Sequence, residues 1–175
     1  MSRIRVTGGA WRSRLLQVTA APGLRPTPDR VRETLFNWLG QDLTGLSCLD
    51  LFAGSGILGI EAASRGAAPV VFVERERQPF LMLVKQLAAF DGDSLQPLCC
   101  DALKFAPSAG FDLVFLDPPY RQGWLERLVP RLPLLARPDA RLYVESEAPL
   151  DQLGGWQVTR RGQAGQVHFH LLEQA

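Results

Sequence analysis

The sequence predicts an α/β protein: a doubly wound, mostly parallel seven-stranded sheet with helices on both faces, ending in an antiparallel hairpin and preceded by a small β-hairpin extension. Three observations predict it. From residue 47 onward, short apolar runs alternate with stretches of helical length, the rhythm of strands buried on both faces and joined by crossover helices. A glycine cluster, Gly54-Ser55-Gly56-Ile57-Leu58-Gly59, lies between the first of those runs and the first helix. The chain is 175 residues long, 46% hydrophobic and 21% charged, enough for a core and too apolar for disorder.

The elements follow in order. Ile4 and Val6, then Gly8-Gly9, then Trp11, Leu15, Leu16 and Val18 make two short β-prone runs around a Gly-Gly pair, a hairpin with arginines on its exposed face. Prolines and Gly23 make residues 20–27 an extended connector. A helix then starts with Thr27 as N-cap and Pro28 at its first position, and Gly40 lies just past its end. Val31, Leu35, Trp38 and Leu39 form its apolar stripe, with Arg30, Glu33 and Asn37 on another face.

Residues 47–52 are the first core strand, and the helix after the glycine cluster ends at Gly66. Residues 70–73 form the second strand, followed by a helix over 79–90 that stops at Asp91-Gly92. Residues 95–100 and 111–116 read as the third and fourth buried strands, with Cys99-Cys100 as small packing residues. Pro130 and Pro133 interrupt the helical region before a fifth strand at 142–145. Residues 157–161 and 167–172 close the chain as a hairpin, in which His168 and His170 are strand side chains. The expected division is a basic arm over 1–22 and a catalytic domain over 23–175.

No apolar run approaches the ~18 residues of a membrane span, and the N-terminus lacks a signal-peptide core. Three cysteines, two of them adjacent, make neither a disulfide framework nor a four-ligand zinc site. A soluble, cytoplasmic protein with no metal and no membrane partner is expected. The formal charge of +1 argues against nucleic acid until it is split. Residues 1–40 carry seven Arg against Asp29 and Glu33, a net of +5, and the remainder nets −4. A basic arm on an acidic core is the footprint of a nucleic-acid enzyme.

The acidic residues sit where chemistry needs them. Glu74, 20 residues after Gly54 and at the end of the second strand, is placed to accept both ribose hydroxyl hydrogens. Asp50, inside the first strand run, would repel a pyrophosphate but suits the cationic sulfonium and amino group of S-adenosylmethionine. Asp101, directly after the third strand, either meets an adenine amino group or caps a turn. Asp117-Pro118-Pro119-Tyr120 follows the fourth strand. Its two prolines remove two N–H groups, leaving the Asp117 carboxylate and the Pro118 carbonyl as convergent acceptors for one NH2 group, with Tyr120 offering a ring for a flipped base. Methyl transfer there rests on positioning and electrostatics, without a covalent intermediate.

Leu49-Asp50-Leu51-Phe52-Ala53-Gly54-Ser55-Gly56 together with Asp117-Pro118-Pro119-Tyr120 resembles the class I S-adenosylmethionine-dependent amino-methyltransferases, whose targets include adenine N6, cytosine N4, guanine N2 and glutamine N5. The stretch from Ile4 to Arg12 and the stretch from Gly23 to Leu39 resemble the bacterial RsmD family, as do Tyr143-Val144-Glu145-Ser146-Glu147 and Ala164-Gly165-Gln166-Val167. The resemblance implies a Rossmann-like methyltransferase that modifies N2 of one guanine of 16S rRNA in the small ribosomal subunit or its assembly intermediate. It implies cofactor contacts from Asp50, Phe52, Gly54, Ser55, Gly56, Glu74, Arg75, Asp101 and Ala102, and catalytic contacts from Asp117, Pro118 and Tyr120. RNA contacts are expected from Arg3, Arg5, Arg12, Arg14, Arg25 and Arg30, with the segment Arg25–Arg32 facing either cofactor or RNA.

Two other readings stand beside it. A nicotinamide oxidoreductase would use the glycine cluster and Glu74 but gives Asp50 and Asp117 no task, and a non-catalytic RNA-binding factor gives the Asp-Pro-Pro-Tyr motif none. Removing residues 1–18 is expected to weaken RNA binding far more than cofactor binding.

Overall fold

In the computed structural model, which describes residues 2–18 and 26–175, the chain runs β1 (Ser2–Arg5), β2 (Leu15–Val18), α1 (Asp29–Leu39), β3 (Cys48–Asp50), α2 (Ile57–Ser64), β4 (Val70–Glu74), α3 (Arg77–Leu87), β5 (Leu95–Cys99) and β6 (Phe111–Leu116). It continues through α4 (Trp124–Leu128), α5 (Leu132–Leu135), β7 (Ala136–Ser146), β8 (Gln152–Leu153), β9 (Trp156–Ala164) and β10 (Val167–Gln174). The main sheet has the order β5-β4-β3-β6-β7-β10-β9-β8. Strands β3 to β7 pair in parallel, and β10 is antiparallel to both β7 and β9. After β3 the chain winds outward through β4 and β5, then returns to place β6 on the other side of β3. The crevice at the β3/β6 boundary is therefore the topological switch point, where open α/β sheets bind ligands.

Strand alternation divides the core into two layers. Cys48, Val70, Phe72, Leu113, Phe115 and Tyr143 face α1, α2 and α3. Leu49, Val71, Val73, Val114, Leu116 and Val144 face α4 and α5. Several details differ from the sequence reading. The sheet has eight strands, because the two-residue β8 pairs with the start of β9. Strand β5 lies at an edge with Cys99 exposed, so the adjacent cysteines are not in a buried run. Pro97, opposite Phe72, can sit there because an edge strand leaves one row of N–H positions unpaired. Between β6 and β7, the helix-breaking prolines leave two short helices joined by a 3-10 turn at Val129–Arg131.

Helix α1 begins at Asp29, and the residue before it is Pro28. Thr27 does not cap it: no side-chain hydrogen bond caps this helix, and the Thr27 hydroxyl is oriented instead by donating to the buried Glu145 carboxylate at 2.9 Å. The connector over residues 20–25, the 22/23 boundary and Arg25 lie outside the described residues.

The N-terminal hairpin is joined to the core through one carboxylate. Glu61, fully buried on α2, accepts from Arg32 Nη1 at 2.6 Å and Arg65 Nη1 at 2.9 Å. It also accepts from the Thr7 backbone N–H at 3.0 Å and the Thr7 hydroxyl at 2.8 Å. Arg32 reaches back to the Arg5 carbonyl at 2.7 Å, to the Thr27 carbonyl at 2.9 Å and to Asp29. Arg65 stacks over the Phe36 ring at 4.0 Å. The loop between β1 and β2 lies against the C-terminus of α2, where the Ala10 N–H donates to the Ser64 carbonyl at 2.7 Å. A Cβ on Gly9 would fall 2.1 Å from that carbonyl oxygen, so Gly9, whose own carbonyl accepts from the Arg12 N–H at 3.2 Å in the loop joining the strands, serves both turn and docking contact. Ile4, Val6, Leu16 and Val18 complete the attachment by joining the apolar layer under α1 to α3.

Breaking a buried ion pair from one side leaves the remaining charges uncompensated and costs about 3–5 kcal/mol. Glu61→Ala, which strands two guanidiniums, is expected to lose at least that much in a denaturant titration. A loss under about 1 kcal/mol, the scale of a solvent-exposed pair, contradicts the buried cluster.

Candidate active site

Four carboxylates occupy one face of the sheet at its C-terminal edge. The parallel register aligns Phe72, Asp50, Phe115 and Tyr143 across β4, β3, β6 and β7. Side chains repeat every second residue. Glu74, Asp117 and Glu145 therefore project one pleat beyond that row, on the same face, with Asp50 within it. Asp117 and Glu145, on adjacent strands, stand side by side.

Asp50 and Asp117 open into a single cavity of about 320 Å3. Its walls also include Phe52, Gly54, Ser55 and Ile57 from the turn into α2, and Gln78, Pro79 and Met82 from α3. The glycine cluster divides its work by position. A Cβ on Gly59 would meet the Phe72 ring at 2.3 Å, so that glycine permits close packing of α2 on the sheet. Nothing lies within 4 Å of the equivalent position on Gly54, whose φ of +54° turns the chain and leaves open space in front. The Gly59 N–H donates to Asp50 at 3.1 Å.

The other predicted cofactor residues divide differently. Glu74 is committed at both oxygens, accepting from the Gly54 N–H at 3.1 Å and the Glu76 N–H at 2.7 Å, and so holds the turn in place. Asp101 accepts from the Leu103 N–H at 2.9 Å, a turn cap. Arg75 is exposed and 4.0 Å from Glu76, and Ala102 is buried in the second apolar layer. Arg75, Glu74, Asp101 and Ala102 are not among the cavity-lining residues, whereas Ser55 and Phe52 are. Gly56 sits under them, packed on Leu83.

The sequence reading missed three parts of the wall. Gln17 and Val18 of β2 line the cavity, as do Pro26 and Thr27. Met82 and its neighbours on α3 had no signal beyond helical apolar spacing. Glu145 had one: a carboxylate near the end of an apolar strand, like Asp50 and Glu74.

Burial and crowding raise the acids' pKa values. Asp50 is pushed up to about 7, first by desolvation and then by Glu74 and Glu145, against the pull of the Gly59 N–H. Asp117 is raised further, by desolvation and by Glu145 beside it, with a smaller push from Asp50. Desolvation raises Glu145 too, while Asp117, the Thr27 hydroxyl and Tyr143 beside it oppose the rise. The β6/β7 register sets these two carboxyls side by side, where a single shared proton relieves the crowding. Of the Asp117-Pro118-Pro119-Tyr120 stretch only Asp117 lines the cavity; Tyr120, 41% exposed, is pushed up to about 12 by desolvation and the nearby acids, so its hydroxyl stays protonated.

Among the predicted RNA contacts, Arg3, Arg12 and Arg30 are exposed. Arg5 is exposed and bonds the Ser13 carbonyl at 3.2 Å. Arg14 leans over the Phe90 ring at 4.2 Å and donates to the Ala89 carbonyl, tying the arm to the end of α3. Arg32 meets neither cofactor nor RNA, because the Glu61 cluster buries it. Residues 1–18 thus supply cavity wall as well as charge, so their removal is not a clean test of RNA binding.

The model of the family described as conserved hypothetical protein 95 matches residues 4–173. A relative named ribosomal RNA small subunit methyltransferase D, from Escherichia coli K12, is 43% identical over 98% of this chain and 90% of its own length. A solved structure, a putative methyltransferase yhhF from Escherichia coli, superposes with a TM-score of 0.88 at 41% identity, covering 99% of this chain and 98% of that one. An RNA methyltransferase from Salinibacter ruber, solved in complex with S-adenosyl-L-homocysteine, shares the fold at a TM-score of 0.68 and 19% identity, over 84% of this chain and 92% of that one.

A carboxyl whose folded pKa lies above its unfolded value binds its proton more tightly when folded. Its contribution to stability is therefore lost as pH rises from about 4 to about 7 for Asp50. Asp50→Asn is expected to raise the Tm of the ligand-free protein at pH 8, on the order of a few degrees, and to change it little near pH 4. Thermal unfolding in the two buffers checks this, and equal shifts at both pH values contradict it.

Proposed function

The chain belongs to the conserved hypothetical protein 95 family, the RsmD family, and from that premise we propose that it transfers a methyl group from S-adenosylmethionine to N2 of a guanine in 16S rRNA. The substrate on this reading is the small ribosomal subunit or an assembly intermediate, met in the cytoplasm. The observation that carries it is that Asp50 and Asp117 open into one cavity. One is suited to a cation, the other to an amine.

The residues fit the cofactor. The cavity falls in the range of about 300–1,000 Å3 typical of small-molecule sites. A sulfonium or ammonium beside Asp50 offsets the desolvation, and the smaller push of nearby acids, that raise its pKa to about 7. Phe52, Pro79 and Met82 give an apolar wall for a planar base, and the open space at Gly54 admits close approach. When bound, the cofactor supplies an electrophilic methyl group on a cationic sulfur.

Asp117 and the Pro118 carbonyl then hold the two hydrogens of the guanine NH2, which aims the nitrogen lone pair at the methyl group. The half-buried pocket keeps these acceptors poorly solvated, so they respond strongly to positive charge developing on the nitrogen. Tyr120 stacks the flipped base. The exposed face of the hairpin, Arg3 and Arg5, together with Arg12 and Arg30, meets RNA phosphates. Among the described residues, no helix is long and apolar enough to cross a membrane.

Radiolabelled methyl transfer to undermethylated small subunits and to free rRNA, followed by nucleoside analysis, is expected to yield N2-methylguanosine; label in another nucleoside refutes the N2 assignment. Asp117→Ala is expected to slow transfer by about 10²-fold or more while the cofactor Kd, read by calorimetry, stays within about threefold. Because Asp50 must be ionised, cofactor affinity is expected to rise between pH 6 and 8, and a flat profile would count against its role. Replacing Arg3 and Arg12 by Ala should weaken RNA binding and reduce its log–log salt slope by about 1–2, with the cofactor Kd unchanged. An unaltered salt slope removes both from the interface.

A further inference from the structure

The strongest feature that the proposed reaction leaves without a task is Glu145. It is 4% exposed, lies one residue before the end of the central strand β7, and stands beside Asp117 by the β6/β7 register. Thr27 donates to one of its oxygens at 2.9 Å from the chain entering α1. A second observation points to the same spot. The Tyr143 hydroxyl, one pleat below and packed edge-on against Phe115 at 6.0 Å, is buried beside the Glu145 carboxylate without a well-formed hydrogen bond. Burying an unpaired hydroxyl is costly, and such groups concentrate where something else completes them.

Resting on the methyl-transfer reading above, we infer that Asp117 and Glu145 act as one proton-sharing dyad that takes the proton released by the methylated amine, with Thr27 and Tyr143 as its positioning residues. Asp117 touches the amine. Glu145 acts through Asp117.

The dyad starts with one proton between two carboxyls, a net charge of −1. The amine lone pair forms the new C–N bond as the C–S bond breaks with its electron pair left on sulfur, which passes from cation to neutral thioether. The nitrogen, now positive, releases one hydrogen as a proton to the free oxygen of Asp117. The dyad then holds two protons and no charge, so cation and anion are consumed together. The extra proton returns to solvent through the cavity mouth, restoring the shared-proton state. Burial and mutual repulsion make the pair basic enough for this, where an isolated carboxylate is a weak base.

Among the described residues, the titratable groups facing the pair are Asp50 from β3, Tyr143 from β7 and Tyr120 from the loop after β6; Thr27, from the residues leading into α1, is uncharged. The two carboxyls titrate as a pair, so the pH profile reports the pair.

The test is the pH dependence of single-turnover methyl transfer to undermethylated small subunits. In the wild-type protein the rate is expected to rise with pH as the doubly protonated dyad loses one proton. Glu145→Gln removes the repulsion, and its ascending limb is expected to move to lower pH while the plateau falls by about 10-fold or more. Thr27→Val keeps both carboxyls but removes a stabilising hydrogen bond, so its limb is expected to move up by about 0.5–1 pH unit. The ligand-free protein supplies a readout without turnover: the drop in Tm from pH 5 to pH 8 is expected to be smaller in Glu145→Gln.

Limbs that stay in place in both variants, or an unchanged Tm drop in Glu145→Gln, overturn the dyad even if the plateau falls, because a structural role lowers rate without moving proton affinity. If Glu145→Gln does not fold, the Thr27→Val limb decides. A wild-type protein that transfers no methyl to any RNA instead refutes the parent reading and is recognised before any variant is compared.

Discussion

The placement of the N-terminal third depends on one buried carboxylate. Glu61 receives two guanidiniums and both polar hydrogens of Thr7, and so brings together the hairpin, the approach to α1 and the body of α2. Charges of this kind are taken out of water at a large desolvation penalty, and they are tolerable only when every lone pair and proton is matched. That requirement is a strong positional constraint. Arg32 satisfies it with four partners, including backbone carbonyls from residues 5 and 27. Because β2 is thereby held against α3, Gln17 and Val18 become wall of the cavity rather than part of a free arm.

The second constraint is electrostatic and opposite in sign. Where Glu61 is matched by cations, Asp50, Glu74, Asp117 and Glu145 form a row of like charges at the switch point of the sheet. Burial, with the neighbouring acids adding to it, raises the proton affinity of Asp50 and Asp117, so the unliganded site stores proton affinity that a cation can displace. A site of this design suits a ligand that arrives positive and leaves neutral. Glu74 is held differently, with two backbone N–H groups binding its oxygens. The pairing of Asp117 with Glu145 is relieved only in part, by the Thr27 hydroxyl on Glu145, and sharing a proton is the remaining solution.

The strand–helix alternation, the glycine cluster and the carboxylate-ended strands were legible because each is local: period-two burial, a turn between strand and helix, an acid at a strand end. The eighth strand was not legible, since two residues carry no periodic pattern. Nor was the exposed position of β5, although Pro97 signals an edge. Thr27 has every local property of an N-cap and is used otherwise, because a partner 118 residues away in sequence orients its hydroxyl. Glu145 went unassigned for the same reason. Its neighbour is set by the register of β6 against β7, which no local pattern encodes.

By itself the sequence determined the α/β class, the order of its elements and the chemical types at the strand ends, all of which follow from short-range sterics and periodic burial. It also carried the uneven charge that separates a basic N-terminal stretch from an acidic core. Only the tertiary structure decided how those charges are spent. Arg32 and Arg14 serve the attachment of the hairpin, while Arg3 and Arg12 remain exposed to solvent. The physical reason is that a charge acts through what lies within a few ångströms of it and through how dry that space is. Both are settled only when strands distant in sequence come into register.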